Sequence, residues 1–371
     1  MSSTNSLELR ICPPFMPEDG PEIAAFLRAR GLEPPQAQAE YTVSFLDDGR
    51  LVGTGSLSGR IIQGLAVDDS LRGAGLALRI VSELEAEAAR RGRTRLFIFT
   101  GPGNRDIFAS LGYRQIAEAR GAALLLEKGG GLEQWLSEIG AGLIAARESL
   151  AAAREATVRE TAGLEKARPV SALVMNCNPF TIGHLHLVRT AAAASSLVVV
   201  LVVREDASSF PFDVRFRLVS EGVAPLSNVV VLPGSDYIVS RATFPTYFLK
   251  DKAGEASEVH ARLDADLFGR RIAPALGLTR RYVADEPYSP VTAVYNRALA
   301  ETLPPLGVEL VEIPRLELGG AAVSASAVRR AIREGRLGDA RSIVPPCTWQ
   351  YLNSPEARSV LERIAAAESR H

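Results

Sequence analysis

From Ser171 to Ile313 the chain carries five short apolar runs, "SALVM", "LVVVLVV", "VVVL", "RYVA" and "VELVEI", separated by stretches with helical spacing. A strand with one wet face alternates apolar and polar residues, whereas "LVVVLVV" is apolar at every position and must be covered on both faces. Such runs alternating with helices are the pattern of a parallel sheet layered between helices. We therefore expect an α/β fold, with a Rossmann-like parallel sheet over residues 169–371. The earlier part of the chain follows another plan. In it "YTVSFLDDGRLVGTGSLSGRIIQGLAV" reads as a β-meander, "RGAGLALRIVSELEAEAARRG" as a helix and "RLFIFT" as a strand, which gives a separate α+β domain over 1–127. Between them, 128–168 opens on glycines, turns rich in Ala and Glu at helical spacing and closes at Pro169, the composition of a helical connector.

Charge and cysteine usage narrow the function. With 42 Lys+Arg against 43 Asp+Glu, no global field would hold the chain on nucleic acid or an anionic membrane, so any anion site is local. Cys12, Cys177 and Cys347 are scattered and odd in number, without a pair at zinc-binding or disulfide spacing. No residue set proposes itself as a metal site. The start lacks a basic segment followed by an apolar core, and no uncharged apolar stretch of about 18 residues is present to span a bilayer. These features lead us to expect an unprocessed, soluble protein of a reducing cytoplasm.

The stretch "NCNPFTIGHLHLV" follows the first apolar run and precedes a helix, which is the edge where open α/β sheets bind ligands. Thr181 and His184 are three apart, so at a helix entrance both can face one ligand, while His186 projects elsewhere. An imidazole at a helix N-terminus donates to phosphate oxygens as charge builds on them, and the free amides there add to it. "NPFTIGH" resembles the (H/T)xGH signature of nucleotidyltransferases, with Asn178, Phe180 and Gly183 as its accompanying nucleotide-binding positions. A second string near the end of the sheet, "VSASAVRRAIREG", places Ser324 and Ser326 ahead of Arg329 at a helix start. Hydroxyls and a helix N-terminus cradle phosphates, and a guanidinium binds two oxygens at once. It resembles the "ISxxxxR" phosphate loop of the same enzymes, with Val323 in place of isoleucine.

In the first domain, Arg72, Gly73 and Gly75 stand between a strand and a long helix, where small residues let the backbone approach an anion. Followed by "FASLGYR", this turn resembles the acetyl-CoA-binding core of GNAT N-acetyltransferases. Phe108 stands where many of those enzymes carry a proton-donating tyrosine, and a phenyl ring cannot exchange a proton. Tyr113 is a weak substitute. The resemblance therefore implies an acyl-CoA-type binding or docking module.

Together with "VVREDASSFPFDVRFRLVSEG", "LPGSDYIVSRATFPTYFLKD" and "ADEPYSPVTAVYNRAL", these motifs resemble the citrate (pro-3S)-lyase ligase family over nearly the whole chain. That resemblance implies an AMP-forming ligase that uses ATP, with Mg2+ held by the nucleotide, to join acetate to the thiol of a CoA-like prosthetic group. The acceptor would be the acyl-carrier subunit of citrate lyase. It also implies roles: His184 on the α-phosphate, Thr181 on a neighbouring oxygen, Asn178 assisting, and Ser324, Ser326 and Arg329 on the departing pyrophosphate. Arg204, Arg241, Lys250 and Lys252 are candidate contacts to ATP or to the prosthetic group's phosphates. Phe210 and Phe212 either line an acetate or pantetheine channel or belong to the core. Two other functions remain open: a phosphopantetheine-type adenylyltransferase indifferent to acetate, and an acyl-CoA-binding sensor or scaffold.

Overall fold

The computed structural model describes residues 7–12, 19–32, 34, 39–157, 168–204, 208–244, 255–286 and 289–366, at 19, 150–157 and 255 by the backbone alone. The chain divides into two units, Met1–Gly131 and Leu132–His371.

The first unit holds β1 (Glu8–Cys12), α1 (Asp19–Arg28), β2 (Tyr41–Asp47), β3 (Arg50–Ser58), β4 (Ile61–Val67), α2 (Leu76–Arg90), β5 (Leu96–Thr100), α3 (Arg105–Ser110), β6 (Arg114–Ala119) and β7 (Ala123–Lys128). Its seven strands run in the order β1-β2-β3-β4-β5-β7-β6. The expected meander is β2-β3-β4, antiparallel throughout. Two glycines of β3 explain how α2 lies against it: a Cβ on Gly53 would stand 2.9 Å from Leu76, and one on Gly55 2.7 Å from Ile80. Any larger residue would push the helix off the sheet. The parallel neighbours β4 and β5 pair only at Ile61 with Phe97 and Ile62 with Ile98, and beyond those residues they no longer pair.

The second unit takes in α4 (Gly131–Thr157) from Leu132 onward and continues as β8 (Val170–Met175), α5 (Ile182–Ala194), β9 (Leu197–Val202), α6 (Phe212–Val223), β10 (Val229–Pro233), α7 (Glu255–Leu267), α8 (Ala273–Leu276), β11 (Arg280–Ala284), α9 (Pro290–Thr302), β12 (Glu309–Ile313), the short hairpin β13 (Glu317–Leu318) and β14 (Ala321–Ala322), α10 (Ala325–Arg333), α11 (Pro346–Leu352) and α12 (Arg358–Ala366). Its five main strands, ordered β10-β9-β8-β11-β12, are all parallel. Every residue of β9 is buried, as a run without polar alternation requires. Successive crossovers go one way from β8 to β9 and β10, then the other way to β11 and β12. The order therefore reverses between β8 and β11, and a crevice opens there at the carboxyl ends of the strands.

The helix α4 is built into the second unit. Trp135 packs on Tyr237 with ring centroids 5.7 Å apart, Arg147 donates to the Leu276 carbonyl at 3.2 Å, and Glu133 pairs with Arg271. No helix among the described residues is long and apolar enough to cross a membrane.

Candidate active site

The loop that leaves β8 at this crevice is fixed from below. Arg215 of α6 has no exposed surface, and its guanidinium donates to the carbonyls of Phe210 at 2.9 Å, Val203 at 2.6 Å and Asn176 at 2.9 Å. The same Nη1 reaches the Asn176 side-chain oxygen at 3.0 Å. One buried cation thus ties the exits of β8 and β9 to the entrance of α6. Asn178 accepts the Phe210 amide at 2.9 Å through its side chain, and the Thr348 hydroxyl holds the Phe180 carbonyl at 3.0 Å. The loop includes a cis Asn178–Pro179 bond and Cys177 at φ +51°.

The helix entrance that follows is a reciprocal cap. Thr181 is the N-cap of α5; its amide donates to His184 Nδ1 at 3.0 Å, and its hydroxyl oxygen accepts the His184 amide at 3.4 Å while lying 2.8 Å from Nδ1. An amide can only donate, so Nδ1 is the acceptor and the ring proton sits on Nε2. Burial, followed by the positive charges of Arg315 and Arg329, pushes the imidazole down to about 4. His184 is therefore a neutral Nε2–H donor at physiological pH. Phe180 lies under the ring, nearly parallel at 17° with centroids 5.9 Å apart.

The serine-led helix meets this loop. Arg329 donates to the Asn178 carbonyl through Nη1 and to the Ser326 hydroxyl at 2.9 Å through Nη2. Ser324 caps α10 by accepting the Ala327 amide at 3.1 Å. A Cβ on Gly183 would stand 3.1 Å from the Val323 carbonyl, so the two segments touch at backbone level. His184, Ser326 and Arg329 accordingly share one crevice, and Arg315, just beyond β12, contributes its field to it.

Several expectations change. Thr181 is only 1% exposed and acts on His184, so it does not face a ligand directly. Phe180 has no exposed surface to offer a nucleotide and instead supports the imidazole. Phe210 is core, whereas Phe212 is partly exposed under Arg204, whose guanidinium carbon lies 5.7 Å from the ring centroid at the exit of β9. Arg241 is exposed in the turn after β10. Lys250 and Lys252 lie outside the described residues. In the first unit Gly73 and Gly75 adopt φ +81° and +78°, and Gly75 starts α2 without a side-chain cap. Arg72 pairs with Asp69 at 2.7 Å on the surface. Phe108 and Tyr113 are both buried, in edge-on contact, and burial, then the Glu85 charge, pushes the Tyr113 hydroxyl far up. The phenyl ring has no proton to exchange, and the Tyr113 hydroxyl is enclosed in the core.

Sequence reading missed Arg215, Asn176 and Arg315. The signal for Arg215 was an arginine among the apolar positions of α6, beside Leu218 and Val219. For Arg315 it was a charge just past a parallel strand's carboxyl end.

Comparison with known proteins agrees with these features. Residues 170–352 match the family profile described as citrate lyase ligase C-terminal domain, and residues 23–123 match the acetyltransferase (GNAT) domain. A citrate (pro-3S)-lyase ligase of Klebsiella pneumoniae is 37% identical over 335 residues, covering 89% of this chain and 91% of that protein. Its namesake from Haemophilus influenzae is 35% identical, covering 89% and 94%, and that from Escherichia coli 34% identical, covering 90% of each. With identity of that order along almost the full length of three curated enzymes, the chain belongs to the citrate (pro-3S)-lyase ligase family and is an enzyme of the ligase class.

Proposed function

We propose that this enzyme uses ATP to join acetate to the thiol of a CoA-like prosthetic group on the acyl-carrier subunit of citrate lyase, releasing AMP and pyrophosphate. The observation that carries the reading is the meeting of two distant segments, Arg329 on the Asn178 carbonyl and Gly183 against Val323, around a neutral histidine donor. A crevice walled by Arg329, Arg315 and a helix entrance attracts a polyanion.

An acetate oxygen attacks the α-phosphorus, the bond to the β-phosphate bridging oxygen breaks, and pyrophosphate departs. His184 Nε2–H donates to the α-phosphate as charge accumulates, and Ser326, Arg329 and the entrance of α10 hold the leaving pyrophosphate. The carrier thiolate then attacks the acetyl carbonyl, and AMP leaves with the electron pair of the broken C–O bond. Positioning and charge stabilisation suffice, with no covalent enzyme nucleophile. Cys177, the thiol beside the motif, is 1% exposed and burial pushes it up, which suits packing rather than acyl transfer. Magnesium would arrive with the triphosphate, held mainly by phosphate and water. Among the described residues, no group of three or more His, Cys, Asp or Glu gathers to hold a metal. The first unit, with Phe108 at the position of the usual proton-donating tyrosine, serves as an acyl-CoA-type binding or docking module.

The test is incubation with ATP, labelled acetate and deacetylated citrate lyase. Label on the carrier as a hydrolysable thioester, with equimolar AMP, is the expected result. Pyrophosphate release indifferent to acetate, with a dinucleotide product, would replace this reading with a phosphopantetheine-type adenylyltransferase. Acyl-CoA binding without ATP turnover would replace it with a sensor.

A further inference from the structure

Arg315 is held more firmly than a surface arginine needs to be. Its amide donates to the Asp285 carboxylate at 2.9 Å, its Nε to the Asp285 carbonyl at 2.8 Å and its Nη2 to Glu286. Both positioners are themselves tied down: Asp285 donates its amide to Ile313 at 3.0 Å, and Glu286 accepts the Ser289 amide at 3.0 Å. The exits of β11 and β12 are therefore cross-linked around one side chain that retains 23% of its exposure. Freezing an arginine in one geometry costs rotamer entropy. Yet Nη1 is left without a partner among the described residues.

Backbone geometry says where this cation stands. Arg315 immediately precedes Leu316, whose carbonyl accepts the Val323 amide at 2.9 Å at the base of the β13–β14 hairpin. The Val323 carbonyl is the atom against Gly183. One residue before that base is Arg315, and one residue after it is Ser324. The hairpin thus sets Arg315 and the phosphate-loop helix on two legs of one support, with the His184 turn packed against it. The positive charge of Arg315, like that of Arg329, depresses the imidazole, which agrees with this placement.

We propose that Arg315, positioned by Asp285 and Glu286, is a further phosphate-binding residue of this crevice and donates through Nη1 to an anionic oxygen of ATP's triphosphate. The inference rests on the adenylation reading and adds to it a second guanidinium alongside Arg329. Lysine is a poor replacement, because one ammonium cannot satisfy the Asp285 carbonyl, Glu286 and a phosphate in the same fixed plane.

The experiment is calorimetric titration of the full-length protein with α,β-methylene-ATP, together with steady-state KM values for ATP and acetate. Arg315→Ala is expected to weaken the nucleotide by about 10- to 100-fold, Arg315→Lys by less, and Glu286→Gln by less again, with the acetate KM moved under about twofold. Arg315→Ala should also raise the His184 titration followed by NMR, whereas Arg315→Lys, which keeps the charge, should leave it nearer the wild-type position. Equal nucleotide affinity in wild type and all three variants overturns the inference while leaving adenylation standing, as does a shift confined to the acetate KM. Absence of nucleotide binding by the wild type overturns the adenylation reading itself.

Discussion

Two helices of this chain follow a turn that leaves a strand and carry glycine at or beside their first residues, and they are built on opposite plans. The entrance of α2 is bare: Gly75 caps it in the left-handed region at φ +78°, no side chain closes it, and the amides behind it are offered as they are. The entrance of α5 is closed by Thr181 in extended conformation at φ −121°, with Thr181 and His184 capping each other. Backbone amides bind an anion in its ground state and in the transition state alike, which yields affinity without rate. A side chain with a fixed tautomer and a depressed proton affinity can be aimed at charge that develops only during reaction. On the proposed reading the first unit binds and the second carries the chemistry, a division that substitutions in each entrance can break.

The largest effect is expected from His184→Ala. On the proposed reading His184 donates to the α-phosphate, so its loss should lower acetate-dependent pyrophosphate release by about 10²- to 10³-fold, the range seen on losing a single oxyanion donor. The counterpart in the first unit, Phe108→Tyr, should leave the rate of that half-reaction unchanged. A pyrophosphate assay on purified proteins settles both, and a rate kept in His184→Ala would return the imidazole to a purely structural role.

A glycine exchange in each entrance comes next. Gly183→Ala inserts a Cβ 3.1 Å from the Val323 carbonyl, so the phosphate-loop segment must retreat and Arg329 must move with it. A displacement of a few tenths of an ångström at a positioning contact should raise the ATP KM about tenfold. Gly73→Ala meets nothing within 4 Å but forces φ +81° on a Cβ, so it should cost about 1 kcal/mol of stability with no change in the ATP KM. Thermal unfolding and KM measured on the same two variants would separate the effects, and identical behaviour would erase the distinction between the entrances.

These residues also show how far the sequence could be read. The all-apolar β9 dictated a doubly covered parallel sheet, and the Thr181–His184 spacing named the entrance, because both rest on local periodicity. The direction in which Thr181 points did not follow from spacing: at a helix N-cap its hydroxyl is consumed by the helix itself, and only three-dimensional placement showed it bound to Nδ1. Arg215 and Arg315 escaped for a different reason. Their partners are mostly main-chain carbonyls and carboxylates 5 to 39 residues away, and such contacts leave no periodic trace. The bare entrance of α2 was legible from Gly73 and Gly75 alone, since positive φ is the one conformation that composition announces directly.

Thr181→Val sharpens the comparison at smaller amplitude. Valine keeps the shape and the backbone amide that holds Nδ1, so the Nε2–H tautomer should survive, visible by 15N NMR of the ring. Loss of the hydroxyl cap should cost about 1 kcal/mol of stability and, by loosening the ring, roughly tenfold in turnover. A tautomer switch in this variant would show that the hydroxyl, rather than the amide, sets the proton's position.

The smallest effect is a pH dependence that distinguishes the two units by window. All four histidines lie in the second unit, and burial pushes both His184 and His260 down to about 4 from an ordinary 6.5. Above pH 6.5 both are neutral in the folded and unfolded chain and the pH costs nothing. As the pH falls from there toward 4 the unfolded chain takes up protons that the folded unit refuses, so stability is progressively lost. The first unit has no histidine, and its most depressed group is Asp68, lowered by the Ser70 hydroxyl and amide and by Arg50. Asp68 contributes stability that is present above its ordinary value of 3.8 and disappears only as the pH falls further. Both tryptophans, Trp135 and Trp349, belong to the second unit, so their fluorescence in urea reports on it selectively. The urea midpoint seen by tryptophan should fall between pH 7 and pH 5, and the double variant His184→Asn with His260→Asn should flatten that fall. A midpoint that moves equally in wild type and double variant would place the acid-sensitive groups elsewhere, and the separation of the two windows would fail.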